Sequence, residues 1–432
     1  MAPELEFSLN ELSSQARRHI RVFQIHQFLD RFAMGLTVAV VALALTDRGM
    51  DLFQISLLFG VYSLTTMVAE VPFGGLADTI GRKPVFLAAV VASLISLALF
   101  LLTSDFYVLA LSFAFIGFGR ALRSGTLDAW FLETFKMAAP NVDVQPALAR
   151  AQWANALGLA IGAVVGGVLP DLFGSLAVRL NFSIYDVSYA VSFAVMLGVF
   201  AYTLRVIVEE PRPATSQSLT AGFAAVPLVL KDAGVLAFRH PVLALLFPAL
   251  ALFLMATNPV EVIWPTFAKV MLNEGYANTL IGILTATYFF SIAFGAWLSP
   301  SISRIFGKQH AVTLAVAFGC LVVVQVVLAM QGSIAGFAAV FVLYAIILGV
   351  TETPASSILH SSVDDHQRST LLSLRSLIQQ LGAALGLILA GLIAEIYSTT
   401  VAWILGAVFL ALATFLIGIL AKRLRSDDAM RG

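Results

Sequence analysis

Twelve apolar runs constrain this chain more than any other feature. They cover residues 22–45, 52–74, 84–102, 107–131, 147–169, 184–206, 242–267, 279–298, 311–330, 334–358, 369–393 and 401–420. A helix of about 20 apolar residues crosses the hydrocarbon core of a bilayer. With no water there to satisfy the backbone, such runs become helices whose hydrogen bonds close internally. The predicted fold class is therefore all-α: a membrane protein of twelve transmembrane helices in two six-helix pseudo-symmetric halves. The halves are residues 1–206 and 242–432, joined by a cytoplasmic linker at 207–241. That linker contains EEPRPATSQS and then a weakly amphipathic stretch, 221–235, suited to lying on the membrane surface.

Composition agrees. Hydrophobic residues make up 59% and charged residues 12%, with a mean hydropathy of +0.93, whereas soluble domains carry about 25% charged residues. Formal net charge is zero, so overall balance gives no reason to expect a nucleic-acid partner. Cys320 is the lone cysteine and the six His lack ligand spacing, which argues against a disulfide or a metal site. There is no GxxxxGK[ST], HExxH or CxxC, so neither ATP drive, a cofactor nor an enzyme is expected. Residues 1–21 carry Glu4, Glu6 and Glu11 before a basic cluster, with no small-residue cleavage site, and read as a cytoplasmic lead-in helix.

Basic residues set the expected orientation. With both termini inside, the outer loops hold only Arg48, Arg179 and Lys269, while Arg31, Arg120, Arg123 and Arg375 fall within spans. Every other Lys and Arg lies on the inner side, the arrangement expected with both termini cytoplasmic. The halves also repeat. Shifted by 224 positions, Leu157, Gly158, Gly162 and Gly167 fall on Leu381, Gly382, Gly386 and Gly391; Gly125, Asp128 and Asp171 fall on Gly349, Glu352 and Glu395. Parallel repeats of this kind occur in transporters.

Between the second and third runs lies GGLADTIGRK: Gly74, Gly75, Leu76, Asp78, Gly81, Arg82 and Lys83. It resembles the signature loop of the major facilitator superfamily, G-x-L-A-D-x-x-G-R-K, and SRIFGK before residue 311 resembles a worn second copy, with Gly307 for Gly81 and Arg304 for Asp78. The resemblance implies a secondary transporter working by alternating access. It also implies that Asp78 sits at the amino end of the eleventh helix and that Arg82 joins Asp128 or Glu133, holding the cytoplasmic side shut. Gly158, Gly162, Gly166 and Gly167 resemble the fifth-helix motif G-x-x-x-G-P-x-x-G-G of drug–proton antiporters, with Ala163 in place of Pro. The plainer reading of these glycines is close helix packing.

Charges inside spans are costly and are functional candidates. In span 1, His26 and Asp30 share a face, with Gln27 and Arg31 alongside. Asp30 is the candidate proton carrier; the alternative is a static pair with an Arg that locks helices. In GFGRALRSGTLDAW, Arg120, Ser124 and Asp128 are four apart on one expected face, and Arg120 needs Asp30 or Asp128 as its counter-ion. Glu70 sits one turn before the loop, as a gate-side structural carboxylate or a protonation site, and Glu133 stands at the end of the fourth span. Glu352 and Arg375 suit an ion pair, whether a gate or a permanent tie. In TNPVEVIWP, Pro259 and Pro265 are expected to interrupt the seventh helix near Asn258 and Glu261. Those two, with Gln27, Gln152, Asn155, Tyr288, Tyr344, Gln379 and Gln380, are candidate cavity residues.

The function expected is proton-driven efflux of small amphipathic compounds from a bacterial-type inner membrane, by a monomer whose partners are its substrate and membrane lipid. The alternative is a symporter or facilitator taking up a metabolite. A non-transporting sensor or scaffold is the distant third.

Overall fold

The computed structural model describes residues 12–73, 76–209, 231, 234–235, 239–272, 275–362 and 365–431. Regular structure among the described residues is helical throughout. The helices are α1 (Ser14–Val38), α2 (Val41–Asp47), α3 (Leu52–Phe73), α4 (Leu76–Ile80), α5 (Arg82–Leu102), α6 (Phe106–Arg123), α7 (Thr126–Ala138) and α8 (Gln145–Arg179). They continue as α9 (Asp186–Val206), α10 (Leu243–Lys269), α11 (Ala277–Ile305), α12 (His310–Ala329), α13 (Ile334–Ser361), α14 (Asp365–Ile396) and α15 (Thr399–Arg431). Twelve stretches among the described residues are long and apolar enough to span a membrane, α1 with α2 and α6 with α7 each making one. The surface helix expected over 221–235 lies outside the described residues, apart from 231, 234 and 235.

Polar side chains start several helices. Ser13 accepts from the Ala16 N–H at 3.1 Å, and Asp105 accepts from Tyr107 and Val108 at 3.0 and 3.1 Å, satisfying N–H groups with no partner in their own helix. Two expectations about continuity are corrected. The fourth span is broken: α6 ends at Arg123 and α7 restarts after Gly125, whose φ of 68° is left-handed. The seventh is unbroken: α10 runs through Pro248, Pro259 and Pro265. A proline removes one helical hydrogen bond, which packed neighbours in a membrane bundle tolerate.

The chain packs as two compact units. Unit one is Met1–Val41, Ala69–Gly222 and Asn278–Ala286; unit two is Ala42–Val68, Phe223–Ala277 and Thr287–Gly432. Each unit thus takes in a segment from the other sequence half, and glycines stand where that segment packs. In unit one, a Cβ at Gly158, Gly162 or Gly166 would strike the carbonyl of Phe28, Phe32 or Leu36, so α1 and α8 run in parallel with their backbones touching. Gly167, on another side of α8, meets the backbone of Asn278 and Gly282. Unit two repeats the scheme. Gly382 and Gly386 abut the carbonyls of Ala251 and Met255 on α10, and Gly391 abuts Ser56 on α3. Without side chains between them the helices gain dispersion contact over their length, which drives association where lipid is as apolar as protein.

Candidate functional site

Three helices of unit one converge on a polar strip. Asp30 of α1 lies 3.1 Å from Nε of Arg123, the last residue of α6; their side chains are 13% and 24% exposed. The partner is neither Arg31 nor Arg120, as expected, but a third arginine. Neighbouring residues on a helix project about 100° apart, so Arg31 cannot turn back onto Asp30. Its Nη1 instead contacts Met34 Sδ at 3.5 Å. Arg123 also donates from Nη2 to Ser93 Oγ of α5 at 3.1 Å. The Asp30 contact is close but not aligned, as neither Oδ1 nor Nε has a hydrogen-bond partner. It is held by charge rather than by direction.

Beside this pair, Gln27 bridges two helices. Its Nε2 donates to Asp128 Oδ1 of α7 at 3.3 Å, and its Oε1 accepts from Asn155 Nδ2 of α8 at 3.1 Å. Arg120, Ser124 and Asp128 do not share a continuous face, because the turn at Gly125 resets the helical phase. Asp128 therefore reaches Gln27 and lies in the field of Arg31.

His26 is 1% exposed, with Nδ1 on the Val22 carbonyl at 2.9 Å and Nε2 on Thr203 Oγ1 of α9 at 3.0 Å. Thr203 donates its own proton to Val199 at 2.7 Å. Nδ1 must donate, because a carbonyl only accepts. Nε2 then either carries a second proton or takes Thr203's hydroxyl away from Val199, so protonating the ring and rotating the hydroxyl are linked.

At the signature loop, Gly74 and Gly75 lie outside the described residues, as does the side chain of Asp78. Gly81, with φ 99°, ends the turn, and Arg82 donates to Glu133 at 2.8 Å, choosing Glu133 over Asp128. Gly307 in the second copy shares the positive φ, at 64°. Glu70 is half-buried in the last turn of α3. The residue that sequence reasoning missed is Glu209, just past α9. Its two oxygens accept from the backbone N–H groups of Arg82 and Lys83 at 2.8 and 2.9 Å, while Lys83 Nζ donates to the Leu204 carbonyl at 2.9 Å. A carboxylate thus caps α5 at its amino end, where the helix dipole favours negative charge. Its place in a stretch read as linker gave no signal of this.

In unit two, the expected pair forms. Arg375 Nη2 donates to both oxygens of Glu352 at 2.8 Å, and Ser356 bridges them, 2.8 Å from Arg375 Nη1 and 3.0 Å from Glu352. Glu261 is exposed on α10, and Asn258 and Gln379 are partly so. Gln152 of unit one is exposed.

Tyr288 and Tyr344, both candidate cavity residues, are buried. Tyr288 stacks on Phe341 with ring centres 4.9 Å apart, and Tyr344 donates to Gln325 at 3.3 Å. Gln325, alone in an apolar run, also donates to the carbonyls of Trp403 and Ala256. Gln380 is likewise buried.

The family model described as Major Facilitator Superfamily matches residues 25–364 and 259–430. The Quinolone resistance protein NorA of Staphylococcus aureus (strain MRSA252) is 22% identical over 418 residues, covering 93% of this chain and 95% of that protein. Among solved structures, the nucleoside transporter NupG superposes with a TM-score of 0.75 at 14% identity, over 93% of this chain and 98% of that one. A bacterial homologue of the human lysosomal transporter Spinster, in an inward-facing and unoccupied conformation, gives 0.76 at 14% identity, over 96% and 98%. At such identities the structures establish the fold. The chain is a multi-pass membrane protein, a transporter and not an enzyme, and it belongs to the major facilitator superfamily.

Proposed function

We propose that this chain exports small amphipathic compounds in exchange for protons, by alternating access in a bacterial-type inner membrane with both termini cytoplasmic. The observation that carries the reading is Asp30 beside Arg123. It is a carboxylate inside a membrane span, mostly shielded from solvent and held by charge without an aligned hydrogen bond. Such a group can exchange its arginine for a proton without breaking a directional bond, and ionisable residues in spans serve as proton relays. The Asn155–Gln27–Asp128 chain, which links α8, α1 and α7, offers amide and carboxylate groups for a substrate's polar end. The likeness to a quinolone resistance protein supports export and suggests a quinolone as the first probe.

The test uses energised, acid-loaded inverted vesicles containing a pH-sensitive dye. Adding a quinolone should release stored acid and restore the dye signal. Proton movement in the same direction as substrate would identify a symporter and overturn the reading, and substrate movement with no proton flux would identify a facilitator.

A further inference from the structure

Glycine packing fixes the register of α1 against α8: Phe28 lies at Gly158, Phe32 at Gly162 and Leu36 at Gly166. The crossing has two sides. Gln27 and Asn155 hydrogen-bond on one. Residues two apart on a helix lie about 200° apart, so Ile25 and Leu29, flanking Gln27, turn to the other side, and so do Trp153 and Leu157, flanking Asn155. There these four line an open groove of about 760 Å³ together with Gln24 and Arg150. Trp153 is 65% exposed and Leu157 42%, an apolar surface turned away from the polar strip.

The ends of the groove differ. By the same register, Arg150 stands level with Ile20, one residue from Arg21 and three from Arg17. Arg17 and Arg21 continue the stripe of Gln24 and Phe28 at helical spacing, and both are exposed. No carboxylate among the described residues pairs with Arg17, Arg21 or Arg150. One end thus carries several cations that no described carboxylate pairs with, and the rest is apolar with a tryptophan between, the residue that favours the membrane–water boundary. We propose that this groove is a binding site for an anionic phospholipid, with the phosphate at Arg17, Arg21 and Arg150 and the acyl chains along Ile25, Leu29, Trp153 and Leu157. In the orientation proposed above, the lipid comes from the cytoplasmic leaflet, where anionic lipids concentrate near basic residues. The inference needs only that the chain spans a membrane, not that it exports.

The test is lipid-selective quenching of Trp153. The full chain is reconstituted in phosphatidylcholine vesicles containing dibromo-phosphatidylglycerol or dibromo-phosphatidylcholine, and Trp153→Phe supplies the background of the other tryptophans. The anionic lipid should quench the Trp153 share more strongly. Arg150→Gln and Arg21→Gln should each weaken that preference about fivefold, the scale for one basic group near a membrane surface. Equal quenching by the two lipids, or an undiminished preference in the double variant, overturns the site. Should a variant fail to fold, mass spectrometry of wild type in detergent reads the same point: enrichment of co-purified phosphatidylglycerol that falls with added salt supports the site, and no enrichment refutes it. No transport is measured, so failure of the lipid site and failure of the export reading remain distinguishable.

Discussion

Asp171 and Glu395, 224 positions apart, each place a carboxylate on the amino end of another helix. Asp171 accepts from the Thr279 N–H at 2.8 Å, the Thr279 hydroxyl at 2.7 Å and Asn278 Nδ2 at 2.7 Å, at the start of α11. Glu395 accepts from the Leu52 N–H at 3.2 Å, at the start of α3. Each sits one turn beyond the glycine that lets its helices touch, Gly167 or Gly391. The internal repeat thus preserves a device, a close glycine crossing finished by a charge on a helix dipole.

Asp171 makes three short contacts and Glu395 one long one, so loss should be unequal. Asp171→Ala should free the first turn of α11, raising amide exchange in Asn278–Ala286 by roughly 10- to 100-fold, as expected when charged hydrogen bonds of about 1.5–3 kcal/mol are lost. Glu395→Ala should change exchange at the start of α3 much less. Hydrogen exchange read by mass spectrometry on both variants checks the order. An equal response would mean that the dipole, not the bond count, sets the strength.

The spans were legible because hydrocarbon thickness dictates their length, and the repeat because glycine spacing survives where side chains drift. Partner choice was less legible. Glu352 to Arg375 follows from charge, and the motif narrows the partner of Arg82 to Asp128 or Glu133, of which the fold takes Glu133. Asp30 to Arg123 does not follow, since Arg120 and Arg123 sit on one continuous helix and charge alone does not say which of them faces α1. The Gln27 to Asp128 contact depends on the helix break at Gly125, where the text GFGRALRSGTLDAW shows an ordinary helical period. Glu209 contacts residues more than a hundred positions away, through backbone groups that no side-chain pattern reveals.

Glu209 predicts a graded series. Glu209→Gln keeps one acceptor, whereas Glu209→Ala removes both and leaves the Arg82 and Lys83 N–H groups bare. Gly81→Ala should do similar damage by another route: its φ of 99° strains any side chain, and the added Cβ would lie 3.0 Å from a Glu209 oxygen. Strain of that kind costs about 1–3 kcal/mol. Transport in proteoliposomes should therefore fall in the order wild type, Glu209→Gln, then Glu209→Ala and Gly81→Ala together. Full activity in Glu209→Ala would remove the capping role.

The Glu352–Arg375 pair predicts an asymmetry. The Arg375 side chain is 10% exposed and that of Glu352 is 64% exposed. Glu352→Gln leaves a shielded guanidinium without its counter-charge, a loss of about 3 kcal/mol on the scale for buried pairs. Arg375→Gln leaves a carboxylate largely in solvent, at a cost nearer 1 kcal/mol. Thermal unfolding in detergent should rank Glu352→Gln below Arg375→Gln. The reverse ranking would show that Arg375 acts through packing of its stem and not through its charge.

The last prediction separates coupling from structure at Asp30. A proton carrier must change charge during the cycle, and a purely structural carboxylate must not. Asp30→Asn fixes the neutral form while keeping the shape, so it should abolish gradient-driven accumulation yet leave substrate–substrate exchange, which needs no net proton movement. Exchange should fall less than tenfold, a loss under about 1.4 kcal/mol. The structural account predicts otherwise. Arg123, 24% exposed and tied to Ser93, would lose its only ion-pair carboxylate among the described residues, and stability and exchange would decline together. Arg123→Gln supplies the second arm: if Asp30 must trade its arginine for a proton, this variant should exchange substrate but couple poorly. Measuring exchange, accumulation and melting on the same purified proteins distinguishes the accounts. Uphill accumulation at the wild-type level by Asp30→Asn would take Asp30 out of the mechanism.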